Sequence, residues 1–152
     1  RLYGNRLAEG YEGQFREWTQ LVSLDDIGTR MARGSALADF DNDGDLDLAV
    51  NAIGGEATLL QNQDPAGNWL MVDFAESLAG TRLTATLADG TILEREVHIG
   101  SSYLASEDPR VHFGLGENIE LQSLLIRYTT GETLTLDNIP ANQMIQIETN
   151  PD

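Results

Sequence analysis

The chain contains no cysteine and no lysine; all nine of its basic residues are arginine. Without cysteine there are no disulfides and no thiolate metal sites, an absence that fits an exported bacterial protein and a cytosolic one equally. No apolar run approaches the roughly 18–20 residues needed to span a membrane. Basic residues are too few for a nucleic-acid partner: nine face 25 acidic ones, the net charge is −16 and the pI is near 4.2, whereas phosphates require a basic face. Zinc-ligand spacing, a phosphate-cradling glycine loop, a dinucleotide fingerprint and a G-x-S-x-G elbow are all missing. Helix signals are weak throughout. The opening Arg1-Leu2-Tyr3 offers neither an initiator methionine nor a signal segment, so the expectation is a mature or excised part of a longer precursor.

What is present suffices for a folded domain. At 152 residues and 41% hydrophobic content, a chain buries roughly 68–70% of its unfolded surface. The acidic balance suits calcium, solubility at high salt or a basic partner, without choosing among them.

The carboxylates are concentrated in DFDNDGDLD, Asp39 to Asp47, with aspartate at positions one, three, five, seven and nine and Gly44 at six. Carboxylates so placed repel one another unless a cation lies between them. A hard cation taking six to eight oxygens at roughly 2.3–2.6 Å fits, and calcium fits better than magnesium. Gly44 gives the backbone the freedom to turn its oxygens inward. The first six residues match an EF-hand loop, but Val50 stands where that motif needs glutamate, and the flanks Ala36-Leu37-Ala38 and Leu46 to Val50 read as strands rather than helices. The loop therefore belongs to a β-hairpin and closes at Asp47.

Residues Ala32 to Ala52 resemble the calcium-loop core of an FG-GAP or VCBS repeat, the blade unit of integrin-type β-propellers. The resemblance implies calcium (Ca2+) as the bound ion. Its ligands would be the side chains of Asp39, Asp41, Asp43 and Asp47 and the backbone carbonyl of Asp45. An internal echo agrees with a repeat: Arg1-Leu2-Tyr3-Gly4-Asn5 resembles Thr58-Leu59-Leu60-Gln61-Asn62 at an offset of 57 residues. Phe15 to Leu24 alternates as a strand, Asp25 to Gly34 reads as a loop with a short helical turn, and Ala57 to Gln61 as a further strand.

After the breaker-rich QDPAGN linker, residues 63–68, strands are predicted at Trp69–Phe74, Thr81–Ala88, Thr91–His98, Leu121–Tyr128, Thr133–Leu136 and Met144–Glu148. Asp89-Gly90 and Thr130-Gly131 mark turns. Strands at this spacing predict an antiparallel sandwich or barrel. This half is similar to the ASPIC/UnbV domain, on GTRLTATLADG (Gly80 to Gly90), GSSYLASEDPRVHFGLGE (Gly100 to Glu117), IRYTTGE (Ile126 to Glu132) and NIPANQ (Asn138 to Gln143). Tyr128 and Thr129 replace the family's usual Trp-Pro pair, and the segment before Gly80 is short. That domain commonly follows VCBS repeats in exported bacterial proteins, which implies an extracellular or cell-surface setting.

Ser101, Ser102, Tyr103, Ser106, Asp108, Arg110 and His112 crowd together and invite a hydrolase reading, but proximity in sequence supplies neither a base within reach nor an oxyanion site. The expectation there is a structured loop held by short polar side chains, Pro109 and the glycines Gly114 and Gly116. His98 reads as an exposed strand-end residue. Glu94, Glu96, Glu107, Asp108, Glu117 and Glu120 offer glycosidase-like carboxylate pairs, as any chain this acidic does. Asp25-Asp26 and Asp137-Asn138 read as solvated turns, and Tyr11, Phe15 and Trp18 as packing aromatics. The expected fold is all-β: a propeller-blade-like calcium-binding repeat over 1–62, a linker, and a small ASPIC/UnbV-like β domain over 69–152. The expected function is a non-enzymatic, calcium-stabilised extracellular module for adhesion or self-assembly. A carbohydrate-binding accessory module, marked by aromatics around a groove, is the alternative; a hydrolase is third. A lone blade would expose Leu2, Tyr3, Phe15, Trp18, Leu37, Phe40 and Leu48, so the expected partners are other copies of the chain or an upstream repeat.

Overall fold

A computed structural model of the chain describes residues 3–5, 15–17, 31–63, 67–76 and 78–148. Leu2, Tyr11, Trp18, Asp25-Asp26, the Tyr3 side chain and residues 64–66 of the linker lie outside what is described. So do the expected strand beyond Glu17 and the helical turn before Met31. Two compact units emerge, Arg1–Met31 and Ala32–Asp152. In the first, β1 (Tyr3–Asn5) pairs antiparallel with β2 (Phe15–Glu17).

The second unit is all-β among the described residues, as the alternating sequence predicts. The hairpin around Asp39–Asp47 belongs to a three-stranded antiparallel sheet of β3 (Ala32–Ala38), β4 (Asp47–Ala52) and β5 (Thr58–Leu60), in that order. The strand leading into the loop therefore starts at Ala32, inside the stretch expected to be a loop. The remaining strands are β6 (Asn68–Phe74), β7 (Arg82–Leu87), β8 (Ile92–Glu96), β9 (Val111–Gly116), β10 (Glu120–Arg127), β11 (Thr133–Pro140) and β12 (Gln143–Ile147). They make a four-stranded sheet, β11-β10-β7-β8, and a three-stranded one, β12-β6-β9. Neither sheet closes into a barrel.

The core lies between these two sheets. Leu83, Ala85 and Leu87 of β7 alternate inward, and so do Leu70, Val72 and Phe74 of β6. On β7 the period of two puts one face into the core and turns the other outward, whereas on β6 Met71, between Leu70 and Val72, is buried as well, so that strand is covered on both faces there. On β10 the buried residues Leu121, Leu124 and Ile126 break that period, and a register shift between Leu121 and Ser123 against β7 absorbs the extra residue. A bulge of this kind restores the inward set after one insertion.

Three local expectations need correction. Asp137-Asn138 is not a turn but lies inside β11, where Asp137 stays paired opposite Ser123. Val111–Gly116 is a strand, not the end of a structured loop: Val111, Phe113 and Leu115 are buried and the residues between them are not. The alternation was masked because Gly114 and Gly116, on the face opposite the buried set, are glycines. The set is also not wholly antiparallel, since β12 runs parallel to β6, Gln143 opposite Leu70. Only Ala141-Asn142 separate β11 from β12, so the chain crosses to the other sheet beside the start of β6. Asn142 fixes that crossing: its N–H donates to the Trp69 carbonyl at 2.6 Å and its side-chain oxygen accepts from the Trp69 N–H at 3.2 Å.

The Asp89-Gly90 turn sits where it was expected, between β7 and β8, but only Gly90 takes positive φ, +86°. Leu87 N–H donates to the Thr91 carbonyl and Gly90 N–H to the Leu87 carbonyl, the three-residue loop that ends on a left-handed glycine. Tyr128 to Glu132 repeats the pattern, with Gly131 at φ +94°.

Every buried hydrophobic side chain among the described residues lies between Leu70 and Ile147. The hairpin sheet has none: Leu37 and Phe40 are 47% and 50% exposed, Leu59 is 54% exposed and Leu48 is half-buried. Stability is thus concentrated in the sandwich. Leu124→Ala is expected to cost about 2–5 kcal/mol in urea unfolding, through lost transfer energy and a residual cavity. Leu59→Ala in the hairpin sheet should stay within about 0.5 kcal/mol.

Candidate metal centre

The Asp39–Asp47 loop is the turn between β3 and β4, whose register pairs Ala38 with Asp47. Eight residues, Asp39 to Leu46, reverse the chain, and with Asp47 at the head of β4 they must keep five carboxylates apart. Asn42 and Gly44 take positive φ, +59° and +99°. Short polar residues and glycine are the types that enter this region most easily.

The structure divides the five aspartates into three roles. Asp39, Asp41 and Asp43 converge, with one carboxylate oxygen from each lying within 4.8 Å of the others. Asp39 is 1% exposed and is oriented by the loop itself, accepting hydrogen bonds from the N–H groups of Asp43 at 3.2 Å and Gly44 at 3.0 Å. Asp43 accepts from the Asp45 N–H at 3.1 Å, and Asp41 from the Gln61 side chain. Asp47, also 1% exposed, spans the base of the loop: its two oxygens accept from the Phe40 N–H at 3.0 Å and the Asn62 N–H at 2.7 Å. Asp47 thereby ties the end of β5 to the start of the loop.

Asp45 is different again. It is 7% exposed, and its Oδ1 is buried without a hydrogen-bond partner. Burial, and then the charges of Asp43, Asp47, Asp41 and Asp39, push its carboxyl above the ordinary aspartate range.

The sandwich reaches into this loop with three side chains. Arg110, just before β9, donates to the Asp39 carbonyl at 2.8 Å and to the Asn42 side-chain oxygen at 2.7 Å. Asp108 holds the same guanidinium, at 2.7 Å from Nε and 2.6 Å from the NH2 nitrogen. That hydrogen bond, against the opposing effect of burial, keeps Arg110 firmly charged. His112 on β9 donates from Nε2 to the Gly44 carbonyl at 2.8 Å. Trp69 closes over Gly44 so tightly that a Cβ there would lie 1.9 Å from the indole nitrogen. Gly44 is therefore required twice, once by its φ and once by this approach.

The serine-rich stretch is also tied to the hairpin. Ser102 Oγ accepts from the Ser35 N–H at 3.2 Å, and the Tyr103 carbonyl approaches Gly34 so closely that a Cβ there would come within 2.4 Å. Ser101 donates to Glu107. Among the described residues no hydrogen bond joins Ser101, Ser102 or Ser106 to His112.

Sequence reasoning placed the aspartates but not their clamps. Arg110 was visible only as a member of a crowded polar stretch, and nothing in one dimension links it to Asp39, 71 positions away. The one signal was the stretch's density of polar side chains, which here marks a docking seam.

The donor set is all oxygen, and the buried, unpartnered Asp45 Oδ1 lies in the same loop as the converging trio, an arrangement compatible with a hard cation. Residues 75–152 match the family described as ASPIC and UnbV. The chain is also 32% identical over 110 residues to Cartilage acidic protein 1 of Xenopus tropicalis, a stretch covering 67% of this chain and 17% of that protein. The chain thus spans less than a fifth of the relative's length. The aligned stretch is longer than residues 75–152, so it reaches into the residues before 75.

Two expectations follow. Arg110→Ala should accelerate hydrogen exchange at the Asp43 and Gly44 amides and cost about 1–3 kcal/mol, since it removes charged hydrogen bonds and strands Asp108. Asp45→Asn should raise the melting temperature in chelator at pH 7. The folded state disfavours ionised Asp45, so this advantage should shrink as the pH falls through the raised carboxyl pKa and vanish below the ordinary value of about 3.9.

Proposed function

The chain belongs to the ASPIC and UnbV family, and on that premise we propose that it is a non-catalytic, calcium-stabilised structural module of an exported protein. In this reading Asp39 to Asp47 is an FG-GAP/VCBS-type calcium loop mounted on the family's β domain. The observation that carries it is the convergence of the Asp39, Asp41 and Asp43 carboxylates around one point. Calcium would be held by those side chains, the Asp45 carbonyl and Asp47, and would supply the positive charge that the crowded carboxylates lack. The match to Cartilage acidic protein 1, extending before residue 75, supports hairpin and domain working together, and the name of that relative supports an extracellular setting. Among the described residues no helix is long and apolar enough to cross a membrane.

Engagement of the polar groups argues for a structural rather than a hydrolytic role. A cavity of about 190 Å³ does hold His112 with Glu107 and Asp108. Each of these is committed elsewhere: His112 to the Gly44 carbonyl, Glu107 to Ser101 and Asp108 to Arg110. No activated nucleophile is assembled there.

The exposed Leu37, Phe40 and Leu59 support a further part of the reading, that the hairpin sheet is covered by a neighbouring repeat or another copy of the chain. In that role residues 1–62 are the repeat, 63–68 the linker and 69–152 the family domain. Sedimentation at micromolar concentration should then show association that Leu37→Ser weakens; a monomer unaffected by that change would argue against assembly through this face.

Calcium is expected to raise the melting temperature above that in chelator, with a stabilisation of about 2.7 kcal/mol at a hundredfold excess over the dissociation constant. Asp41→Ala and Asp43→Ala should abolish most of that response while melting normally in chelator. Asp45→Ala should retain it, because its carbonyl is the proposed ligand. Asp47→Ala should melt low under both conditions, since it loses the Phe40 and Asn62 amides. Coincident melting curves with and without calcium would refute the reading.

A further inference from the structure

Away from the loop, the outer face of the four-stranded sheet carries a second polar arrangement. Register sets Thr133, Arg127, Arg82 and Glu96 in one row across β11, β10, β7 and β8. The next row reads Thr135, Leu125, Thr84 and Glu94. Arg82 and Arg127 stand directly opposite each other on neighbouring strands, a placement that like charges disfavour. Both come from a set of nine arginines in a chain with 25 acidic residues, so a carboxylate opposite each was readily to hand. Arg82 has Glu96, at 3.2 Å, on its far side. The Arg127 side chain has no hydrogen-bond or ion-pair partner among the described residues. The two line a groove of about 430 Å³ together with Thr84, Glu94, Arg95, Glu96 and Leu125, so three guanidiniums face two carboxylates there.

We infer that this groove binds an acidic sugar unit, with its carboxylate between Arg82 and Arg127 and its hydroxyls on Thr84 and Glu94. Paired guanidiniums offer forked donors that match a carboxylate. Thr84 both donates and accepts, and Glu94 accepts, which suits a ring bearing several hydroxyls. No aromatic residue lines the groove, so stacking of a neutral sugar is not its mode of recognition. The net charge of −16 repels extended polyanions far more than a ligand unit carrying a single negative charge, which the local guanidinium pair can hold. The site is independent of the calcium loop and of the assembly reading.

The test is an amide-shift NMR titration of the whole chain, at constant excess calcium and matched ionic strength, with glucuronate, glucose and sodium sulfate as separate probes. Glucuronate should give saturable shifts centred on Arg82, Thr84, Glu94 and Arg127, and glucose none. Arg127→Gln and Arg82→Gln should each weaken glucuronate binding about tenfold, the loss of one charged hydrogen bond, with the melting temperature unchanged. Absence of saturable shifts, or unchanged affinity in both variants, would overturn the inference. An equal response to sulfate would overturn it too, by reducing the groove to an anion site without sugar recognition. If either variant melts low, Thr84→Val serves in its place, with weakened glucuronate binding expected and unchanged binding counting against the site.

Discussion

Mutual repulsion among five aspartates in nine residues is the constraint around which the hairpin is built. The fold answers it by giving the carboxylates different neighbours. Backbone N–H groups hold Asp39 and Asp47, the Gln61 side chain meets Asp41, and Asp45 is turned into a buried position where ionisation is disfavoured. Arg110 adds a positive charge at the loop's rim, but it points at a backbone carbonyl and Asn42 rather than at the converging trio. No cationic side chain among the described residues is hydrogen-bonded to the converging carboxylates, and the calcium proposal rests on that convergence.

The loop's geometry depends on a core to which it contributes nothing. The sandwich buries its apolar residues between two sheets, and the hairpin sheet has no buried hydrophobic side chain of its own among the described residues. What joins them is polar and close-fitting: the Arg110 and His112 hydrogen bonds, Ser102 on the Ser35 amide, and the Trp69 ring over Gly44. Such contacts are directional, so they position the loop more than they stabilise it. The apolar side chains Leu37 and Leu59 on the hairpin sheet are left exposed, and the proposal of a covering neighbour rests on them.

Periodicity and turn chemistry were legible in one dimension because they are local. The all-β class, the places of the turns at Asp89-Gly90 and Thr130-Gly131, and most strand positions follow from alternation and from glycine's tolerance of positive φ, whereas the three-residue form of those turns is set by the strand pairing. β9 was missed because glycine carries no side chain to register as polar, so VHFGLG does not read as an alternating strand. The bulge in β10 and the parallel pairing of β12 were also hidden, since both depend on how one sheet must shift to meet the other.

By itself, the sequence determined that carboxylates would crowd into one β-turn with a glycine at its sixth position, since spacing and residue type are enough to set charge density and backbone freedom. Tertiary structure alone decided which carboxylates converge, which one staples the turn, and which is buried without a partner. It also decided that Arg110, His112 and Trp69, far along the chain, would frame the loop. Hydrogen-bond direction and desolvation depend on what the fold brings alongside each group, and sequence neighbours do not specify that.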